Sequence, residues 1–237
     1  MTPLFPGGVA VSDLHVYDWE AEDGCRGGSP HLHTASSEGY VVTGGSGEVH
    51  TLTPAGHEVH ALTPGEVVWF SPGTVHRLVN HGDLALIVVM QNSGLPEAGD
   101  AVLTFPSAVL DDPEAYAAAA ALPSDPAVRA DAARARRDLA MRGYLELREA
   151  IDARGAASVM SELHQRAAVL VQPRVAQWQQ RWESTVEAET SRTRAQLAAL
   201  AAGESGLMTD AAVARATPNP GPRAYGMCGR LQTWEWE

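Results

Sequence analysis

The chain has 237 residues, 45% of them hydrophobic and 19% charged, which is typical of a soluble globular protein with one large domain or two small ones. Its formal net charge of −12 disfavours nucleic acid and anionic membranes, so we expect neither as a partner. All 17 basic residues are arginine, which excludes a lysine Schiff base, including lysine-anchored pyridoxal phosphate, from the mechanism.

Residues 1–105 follow a β pattern. Short runs rich in Val, Thr and Leu alternate with turn sequences that contain Gly, Pro and Asn or Asp, as in an all-β barrel or sandwich. The stretches GGSG at 44–47 and NHGD at 80–83 are predicted to be turns between strands. The predicted strands cover 11–19, 30–34, 38–43, 47–53, 57–62, 66–71, 75–80 and 84–91.

From about residue 106 the chain becomes rich in Ala and Arg. Its apolar residues recur every three or four positions, which predicts a helical extension over 106–202. The first helix is predicted at 112–122, with an Asp cap and a Pro in its first turn. The second runs from 125 to 154 and ends at Gly155, and Pro173 is expected to kink or divide the third.

Tryptophans mark the end of the helical extension and the end of the chain. Trp178 and Trp182 are interpreted as core anchors. The tail, 203–237, contains Gly, Pro and Asn and is predicted to be irregular, but it ends with Trp234 and Trp236, which share one face on an extended strand. We expect this aromatic end to dock on the barrel or on a second subunit, and we predict a homodimer.

Two histidines and a glutamate form a candidate metal site. On a strand, residues i and i+2 point to the same face, so His31 and His33 project together. Glu38 arrives after a short turn, with Tyr40 and Val42 on its face of the next strand. Imidazole suits Fe, Ni, Cu and Zn, and a carboxylate adds affinity for Mn and Fe. Such a set leaves coordination positions open for substrate or oxygen, and a fourth ligand is expected from a later strand.

His76 supplies the fourth ligand, just after a tight turn at Pro72 and Gly73. The two segments together resemble the two sequence motifs of the cupin superfamily. The first motif has a glycine, two histidines with one residue between them, a glutamate and another glycine; the second has Gly, Pro, Gly, His and Asn at short intervals. The matching residues are His31, His33, Glu38, Gly45, Gly65, Pro72, Gly73, His76 and Asn80.

The chain departs from the cupin motifs in its loops. Cys25 lies six residues before His31, where the first motif has its first glycine. One extra residue precedes Pro72, which is adjacent to Gly73 where the motif has a residue between them. These changes affect loop lengths, whereas all four usual ligands are present. The resemblance covers less than half of the chain, and the whole chain resembles stand-alone bacterial cupins with an Ala- and Arg-rich helical extension.

The resemblance implies a double-stranded β-helix, or jelly-roll, barrel that binds one divalent transition metal (Fe, Mn, Ni or Zn) through His31, His33, Glu38 and His76. It implies a small-molecule ligand or substrate but leaves the reaction open, because cupins include dioxygenases, decarboxylases, sugar isomerases and epimerases, storage proteins and sensor domains. We predict a small-molecule metalloenzyme of the oxygenase or sugar isomerase/epimerase type. The alternative is a metabolite-binding or sensing protein without catalytic activity.

Four residues are candidates for the wall of the substrate pocket: Tyr40, Val42, Trp69 and His50. Tyr40 is also the candidate catalytic residue, because a phenol can donate a proton or a hydrogen bond. For Tyr40, Val42 and Trp69, taken singly, core packing is the simpler role, and a surface or turn role is the simpler one for His50.

The N-terminal sequence lacks the basic start and the long apolar run of a signal peptide, and no stretch approaches the roughly 18 apolar residues of a transmembrane helix. We therefore expect a cytoplasmic protein. In that reducing compartment Cys25 and Cys228 are expected to be free thiols.

Overall fold

The computed structural model describes residues 5–236, with the backbone alone at Trp236. The predicted absence of a signal peptide depends in part on residues 1–4, which lie outside the described residues. The prediction that Trp234 and Trp236 share one face depends on the side chain of Trp236, which is also outside them. The strands are β1 (Ala10–Val16), β2 (His31–His33), β3 (Glu38–Thr53), β4 (Gly56–Leu62), β5 (Val67–Phe70), β6 (Val75–Met90), β7 (Ala101–Leu103), β8 (Ala216–Pro218), β9 (Ala224–Tyr225), β10 (Gly229–Gln232) and β11 (Trp234–Trp236). The α-helices are α1 (Ser107–Leu110), α2 (Pro113–Ala120), α3 (Pro126–Arg154), α4 (Ala156–Val171), α5 (Val175–Trp182) and α6 (Ala188–Ala201).

The strands form an antiparallel jelly-roll sandwich, as the sequence predicts, and a helical region follows it. The main path of the sheet has the strand order β4-β3-β6-β1-β10-β9. The short strand β2 pairs with β6 on one side and β7 on the other, and β5 pairs with β3. Over the described residues these pairs do not close into a complete ring, so the predicted barrel is open.

The strands β3 and β6 are longer than predicted. The sequence predicts each as two strands joined by a turn, but each is one continuous strand of 16 residues, and the two pair along their length. Their register shifts between Val42 and Gly47. Gly45 has a φ of +69°, and a Cβ there would lie 2.2 Å from the carbonyl oxygen of Asp83. The glycine-rich stretch is therefore a bulge that bends a continuous strand. Its composition is that of a turn, so the sequence does not distinguish the two.

The predicted helices are present, and the expected residues delimit them. The side chains of Asp112 and Asp125 accept backbone N–H groups in the first turns of α2 and α3. Gly155, with a φ of +88°, separates α3 from α4. A 3₁₀ turn at Gln172–Arg174, which contains the predicted proline, divides α4 from α5.

The long helix α3 packs directly on the sheet domain. On α3, Gly143 allows this close approach, because a Cβ at this position would lie 2.2 Å from the carbonyl oxygen of Thr104. Six residues earlier on the same helix, Arg137 is completely buried, and its guanidinium donates hydrogen bonds to three backbone carbonyls of the β1–β2 connection. These carbonyls belong to Trp19, Glu20 and Gly27.

The two tryptophans that are predicted to be core anchors differ in burial. Trp178 is 4% exposed and belongs to the core that joins α3–α5 to β2 and β7, as predicted. Trp182 is 37% exposed, and its indole N–H donates to Asn92 Oδ1. The prediction that Trp182 is a core anchor is therefore wrong, because the helix reaches the edge of the packed region within one turn of Trp178.

The tail is more ordered than predicted. Strand β10 pairs with β1, and β9 pairs with β10, so this part of the tail docks on the sheet. The backbones approach closely at Gly28, where a Cβ would lie 2.5 Å from the Cα atom of Cys228. Strands of two and four residues are too short for a periodic signal, so the sequence indicates an irregular segment. Trp234 lies on β11, which pairs with β8 of the tail.

No helix in the described part of the chain is both long enough and apolar enough to cross a membrane. Both cysteines are free thiols, as expected. The division of the chain at 105 and 202 and the homodimer remain predictions.

Candidate metal centre

Four buried side chains from three strands meet at one point. His31 and His33 lie on β2, Glu38 begins β3, and His76 lies at the start of β6, where it pairs with His31 across the ladder. One ligand-type atom from each side chain lies within 4.8 Å of all the others. His76 Nε2 is 2.8 Å from Glu38 Oε2 and 3.2 Å from His31 Nε2. His33 Nε2 is 3.2 Å from the same Glu38 oxygen.

The turn before β6 is fastened from two sides, which fixes the position of His76. The backbone N–H of Gly73 donates to the carbonyl oxygen of His33, 2.8 Å away. His164, on α4, has its Nε2 atom 2.8 Å from the carbonyl oxygen of Gly73. Gly73 has a φ of +86°, a left-handed conformation that glycine adopts without strain. The helical region therefore helps to place a ligand of the candidate site.

The outer ring nitrogens of two histidines face backbone carbonyls. His31 Nδ1 lies 2.9 Å from the carbonyl oxygen of Ser29, and His76 Nδ1 lies 3.1 Å from that of Thr74. A carbonyl only accepts, so each Nδ1 carries a proton and each Nε2 atom faces the centre. This is the orientation that a metal ligand requires.

Asp100, which precedes β7, supports the third histidine. Its buried carboxylate accepts the Thr34 hydroxyl and the backbone N–H groups of Thr34, Ala35 and Ser36, at 2.7–3.0 Å. The second carboxylate oxygen lies 3.5 Å from His33 Nδ1, too long for a well-formed hydrogen bond. Burial acts to raise the pKa of Asp100, but hydrogen bonds outweigh burial and hold this pKa well below its usual value.

The environment of the cluster sets the protonation of its side chains. Burial lowers the pKa of His31 well below its usual value, and its two histidine neighbours lower it further. Burial also acts to lower the pKa of His33, but the carboxylates of Asp100 and Glu38 outweigh it and raise this pKa to about 9. The nearby histidines hold the pKa of Glu38 well below its usual value despite burial. At neutral pH, Glu38 is therefore ionised and His33 retains a proton.

Two aromatic rings pack behind the cluster. The ring of Phe70 stacks on His76, with the centroids 4.8 Å apart and the planes 7° from parallel. Tyr40 contacts the edge of Phe70, and its hydroxyl has no well-formed hydrogen bond within the described residues. Burial and then the charge of Glu38 raise the pKa of Tyr40 well above its usual value. Tyr40 is therefore a neutral phenol.

A cavity of about 330 Å³ opens beside the cluster and is lined by His31, His33 and Glu38. This volume is near the lower end of the range of about 300–1,000 Å³ for ligand pockets. Further wall residues come from β1, β6 and the segment before β7. One wall is built by the tail, from Tyr225, Gly226, Met227, Cys228, Leu231 and Thr233.

The predicted pocket residues lie outside the lining of this cavity. Tyr40 and Val42 are buried in the sandwich core, on the same face of β3 as the glutamate of the cluster. Trp69 is 74% exposed, because alternation along β5 turns Phe70 inwards and its neighbour outwards. His50 lies on β3 beyond the bulge, where its Nε2 is 2.9 Å from a carboxylate oxygen of the same strand.

Three residues at the site are absent from the sequence prediction. Asp100 and Arg136 come from segments with no motif, and Cys228 comes from the tail. The Cys228 sulfur lies 3.9 Å from His31 Nδ1, and burial raises the pKa of the thiol far above its usual value. No local signal identifies these three residues. Phe70, by contrast, is accessible to sequence reasoning, because period-two alternation along β5 places it inwards.

The donor set fits a transition metal. Three imidazole nitrogens and one carboxylate oxygen are the ligands that Zn, Fe, Ni and Mn accept. The buried Oε2 atom of Glu38 has no aligned hydrogen bond, although two imidazoles are within 3.2 Å of it. Ligand atoms that converge around a buried carboxylate oxygen without an aligned hydrogen bond indicate an arrangement around a common partner.

The structure predicts that Asp100→Asn weakens metal binding. Both carboxylate oxygens of Asp100 accept backbone N–H groups of the β2–β3 loop. In the asparagine variant, one of these oxygens becomes an NH₂ group, which is a donor and repels a backbone N–H, so the loop and His33 are expected to shift. We expect a loss of about 10- to 100-fold in metal affinity, measured by competition with a chromophoric chelator. Asp111→Asn is the matched control, because Asp111 is a half-exposed carboxylate that pairs with Arg166; equal affinities in the two variants would contradict the supporting role.

Comparison with known proteins gives the class of the sheet domain. Residues 17–91 match the family model of the cupin domain, so the chain contains a cupin domain. A solved structure of a Klebsiella pneumoniae protein with a double-stranded β-helix domain is 20% identical, with a TM-score of 0.31, and the match covers 39% of this chain and 75% of that one.

Two further solved structures that are similar to this chain are of proteins that are named after an enzymatic activity. A predicted oxalate decarboxylase from Thermotoga maritima is 20% identical, with a TM-score of 0.26 and coverage of 35% of this chain and 63% of that one. QdtA, a sugar 3,4-ketoisomerase from Thermoanaerobacterium thermosaccharolyticum, is 12% identical, with a TM-score of 0.30 and coverage of 39% and 87%. Matches at these identities carry no argument about the reaction. The search of curated proteins found no match.

Proposed function

We propose that His31, His33, Glu38 and His76 bind one divalent transition metal, Fe, Mn, Ni or Zn, and that the protein is a small-molecule metalloenzyme. The observation that supports this proposal best is the geometry of the cluster. Its donors converge on one point, and backbone carbonyls orient two of the imidazoles from behind.

The bound metal would act as a Lewis acid or, if it is iron, would support chemistry with O₂. The protein contributes a small cavity that three of the four ligands line, so a substrate in the cavity lies against the cluster. Apolar residues of β1, β6 and the tail form much of the cavity wall. The proposed reaction is of the oxygenase or sugar isomerase/epimerase type.

Ligand sensing is a second candidate, because parts of the chain outside the cupin domain form the cavity. Arg136 on α3 and residues 225–233 of the tail line it. A bound metabolite would therefore contact both the sheet domain and the helical region, an arrangement that suits transmission of binding to a partner.

Elemental analysis of protein purified without chelators is the first test of this proposal. We expect about one transition-metal ion per chain, with the same metal retained through gel filtration. Candidate small molecules are then screened for turnover and for binding, with a chelator-treated sample as the control. Turnover that requires the metal supports the enzyme; binding without turnover favours the sensor; full turnover after metal removal would contradict the proposal.

Metal affinity is predicted to rise with pH. His33 has a pKa of about 9, so below that pH a metal ion displaces a proton from its imidazole. The apparent affinity is expected to increase about tenfold per pH unit between pH 7 and pH 9 and to level off above that. Chelator competition at a series of pH values measures this slope, after correction for protonation of the chelator. An affinity that stays constant across this interval would contradict the assignment of His33 as a protonated ligand.

A further inference from the structure

We propose that Arg136 recognises the anionic group of the substrate and that the substrate is a small carboxylate. This inference rests on the proposed function, since it names the substrate class of the same cavity. Arg136 projects from α3, outside the cupin domain, and lines the cavity beside the cluster.

The guanidinium of Arg136 has N–H donors without hydrogen-bond partners within the described residues. It has five N–H groups, and two of them have partners, the carbonyl oxygens of Ala120 at 3.2 Å and Gly226 at 2.8 Å. The Nε atom is buried without a hydrogen bond. Within residues 5–236, no carboxylate lies within ion-pair distance of it. A half-buried cation without an anion is costly, and an anionic ligand would remove that cost.

The charges around the cavity favour an anion. Glu38 and a divalent ion together leave one positive charge, and Arg136 adds a second. The other charged wall residue, Glu97, is exposed and accepts the backbone N–H of Gly94 at 2.9 Å. A planar carboxylate matches the fork of a guanidinium, which makes two parallel hydrogen bonds to it. Within a chain of net charge −12, this cavity is therefore a local site for an anion.

Arg136 also differs in role from its neighbour on α3. Arg137 is completely buried and bonded to three carbonyls, so it is part of the packing between the helix and the sheet domain. Arg136 reaches the cavity, and one of its two partners, Gly226, belongs to the wall built by the tail. It is therefore placed to contact a ligand and the tail at once.

The test compares pairs of ligands that differ in charge alone. The probes are the monohydroxamates of succinic, glutaric and adipic acids, each with its terminal amide analogue, because a hydroxamate chelates the metal and the far end reaches into the cavity. Calorimetry on the metal-loaded protein is expected to show, for at least one chain length, a preference of about tenfold or more for the carboxylate. Arg136→Gln should reduce that preference to about threefold or less, and Arg136→Lys should keep part of it. Arg134→Gln, an exposed arginine on the same helix, is the control and should keep all of it.

Several results would overturn the assignment. They are equal binding of carboxylate and amide in the wild-type protein, an unchanged preference in Arg136→Gln, or no binding of any probe to protein that holds its metal. If the wild-type protein holds no metal, the proposed function fails separately. Arg136 is then tested on that protein with hexanoate and hexanamide: a preference for hexanoate that Arg136→Gln removes supports the anion site, and equal binding rejects it. Near-ultraviolet circular dichroism checks that each variant retains the wild-type fold.

Discussion

Replacement of His76 with alanine is expected to weaken the binding of a divalent transition metal by more than about 100-fold. Loss of a residue that merely supports a ligand costs about 10- to 100-fold, so loss of one of the four ligands costs more. The His76 Nε2 atom lies closest to the Glu38 carboxylate, its ring stacks on Phe70, and its Nδ1 atom lies 3.1 Å from the carbonyl oxygen of Thr74. Competition against a chromophoric chelator measures the affinity.

Two further variants control this experiment. His76→Gln keeps most of the side-chain volume, so it separates the loss of a ligand from the loss of packing against Phe70. His60→Ala removes an exposed histidine that lies beside Glu58 and outside the cluster, and it should leave the affinity unchanged. If His76→Ala binds metal as tightly as His60→Ala does, the metal binds elsewhere in the chain.

Arg137→Ala is expected to lower the free energy of unfolding by about 3–5 kcal/mol. The guanidinium is completely buried, and its removal leaves the carbonyls of Glu20 and Gly27 without their donor, whereas the carbonyl of Trp19 keeps the backbone N–H of Gly27. It also leaves a cavity between α3 and the sheet domain. A typical domain is stable by about 5–15 kcal/mol, so the variant would lose a large part of its stability. Urea denaturation followed by circular dichroism measures the change.

Arg134→Ala is the matched control for this prediction, because Arg134 is exposed and lies one turn earlier on α3. Its effect should be within about 0.5 kcal/mol. A loss below about 1 kcal/mol in Arg137→Ala would mean that water satisfies the carbonyls of Glu20 and Gly27 and that the arginine is dispensable for docking of the helix.

The residues of the cluster could be predicted because strand geometry imposes their spacing. Two histidines separated by one residue share a face of a strand, and the proline–glycine turn predicts that the strand that carries His76 begins just after it. Helix boundaries were equally accessible, because Asp112, Asp125 and Gly155 act through their nearest neighbours. Such local signals are readable without knowledge of the tertiary fold.

The cavity could not be predicted in the same way, because its walls come from distant parts of the chain. Arg136 lies 105 residues after His31, and Cys228 lies 197 residues after it. Trp69 illustrates the opposite error, since an aromatic residue near a ligand strand suggests a pocket wall but alternation along β5 turns it to solvent. The bulge at Gly45 likewise has the composition of a turn, and only its pairing with the strand around Asp83 identifies it as part of a continuous strand.

X-ray absorption spectroscopy at the metal edge of the purified protein tests directly which side chains bind the metal. The spectrum reports the number and type of atoms bound to the metal. If His31, His33, Glu38 and His76 are the ligands, the fit requires three imidazoles and at least one oxygen at about 2.0–2.2 Å. A shell made of oxygen alone, or one with fewer than three imidazoles, would show that these four side chains are not the ligands.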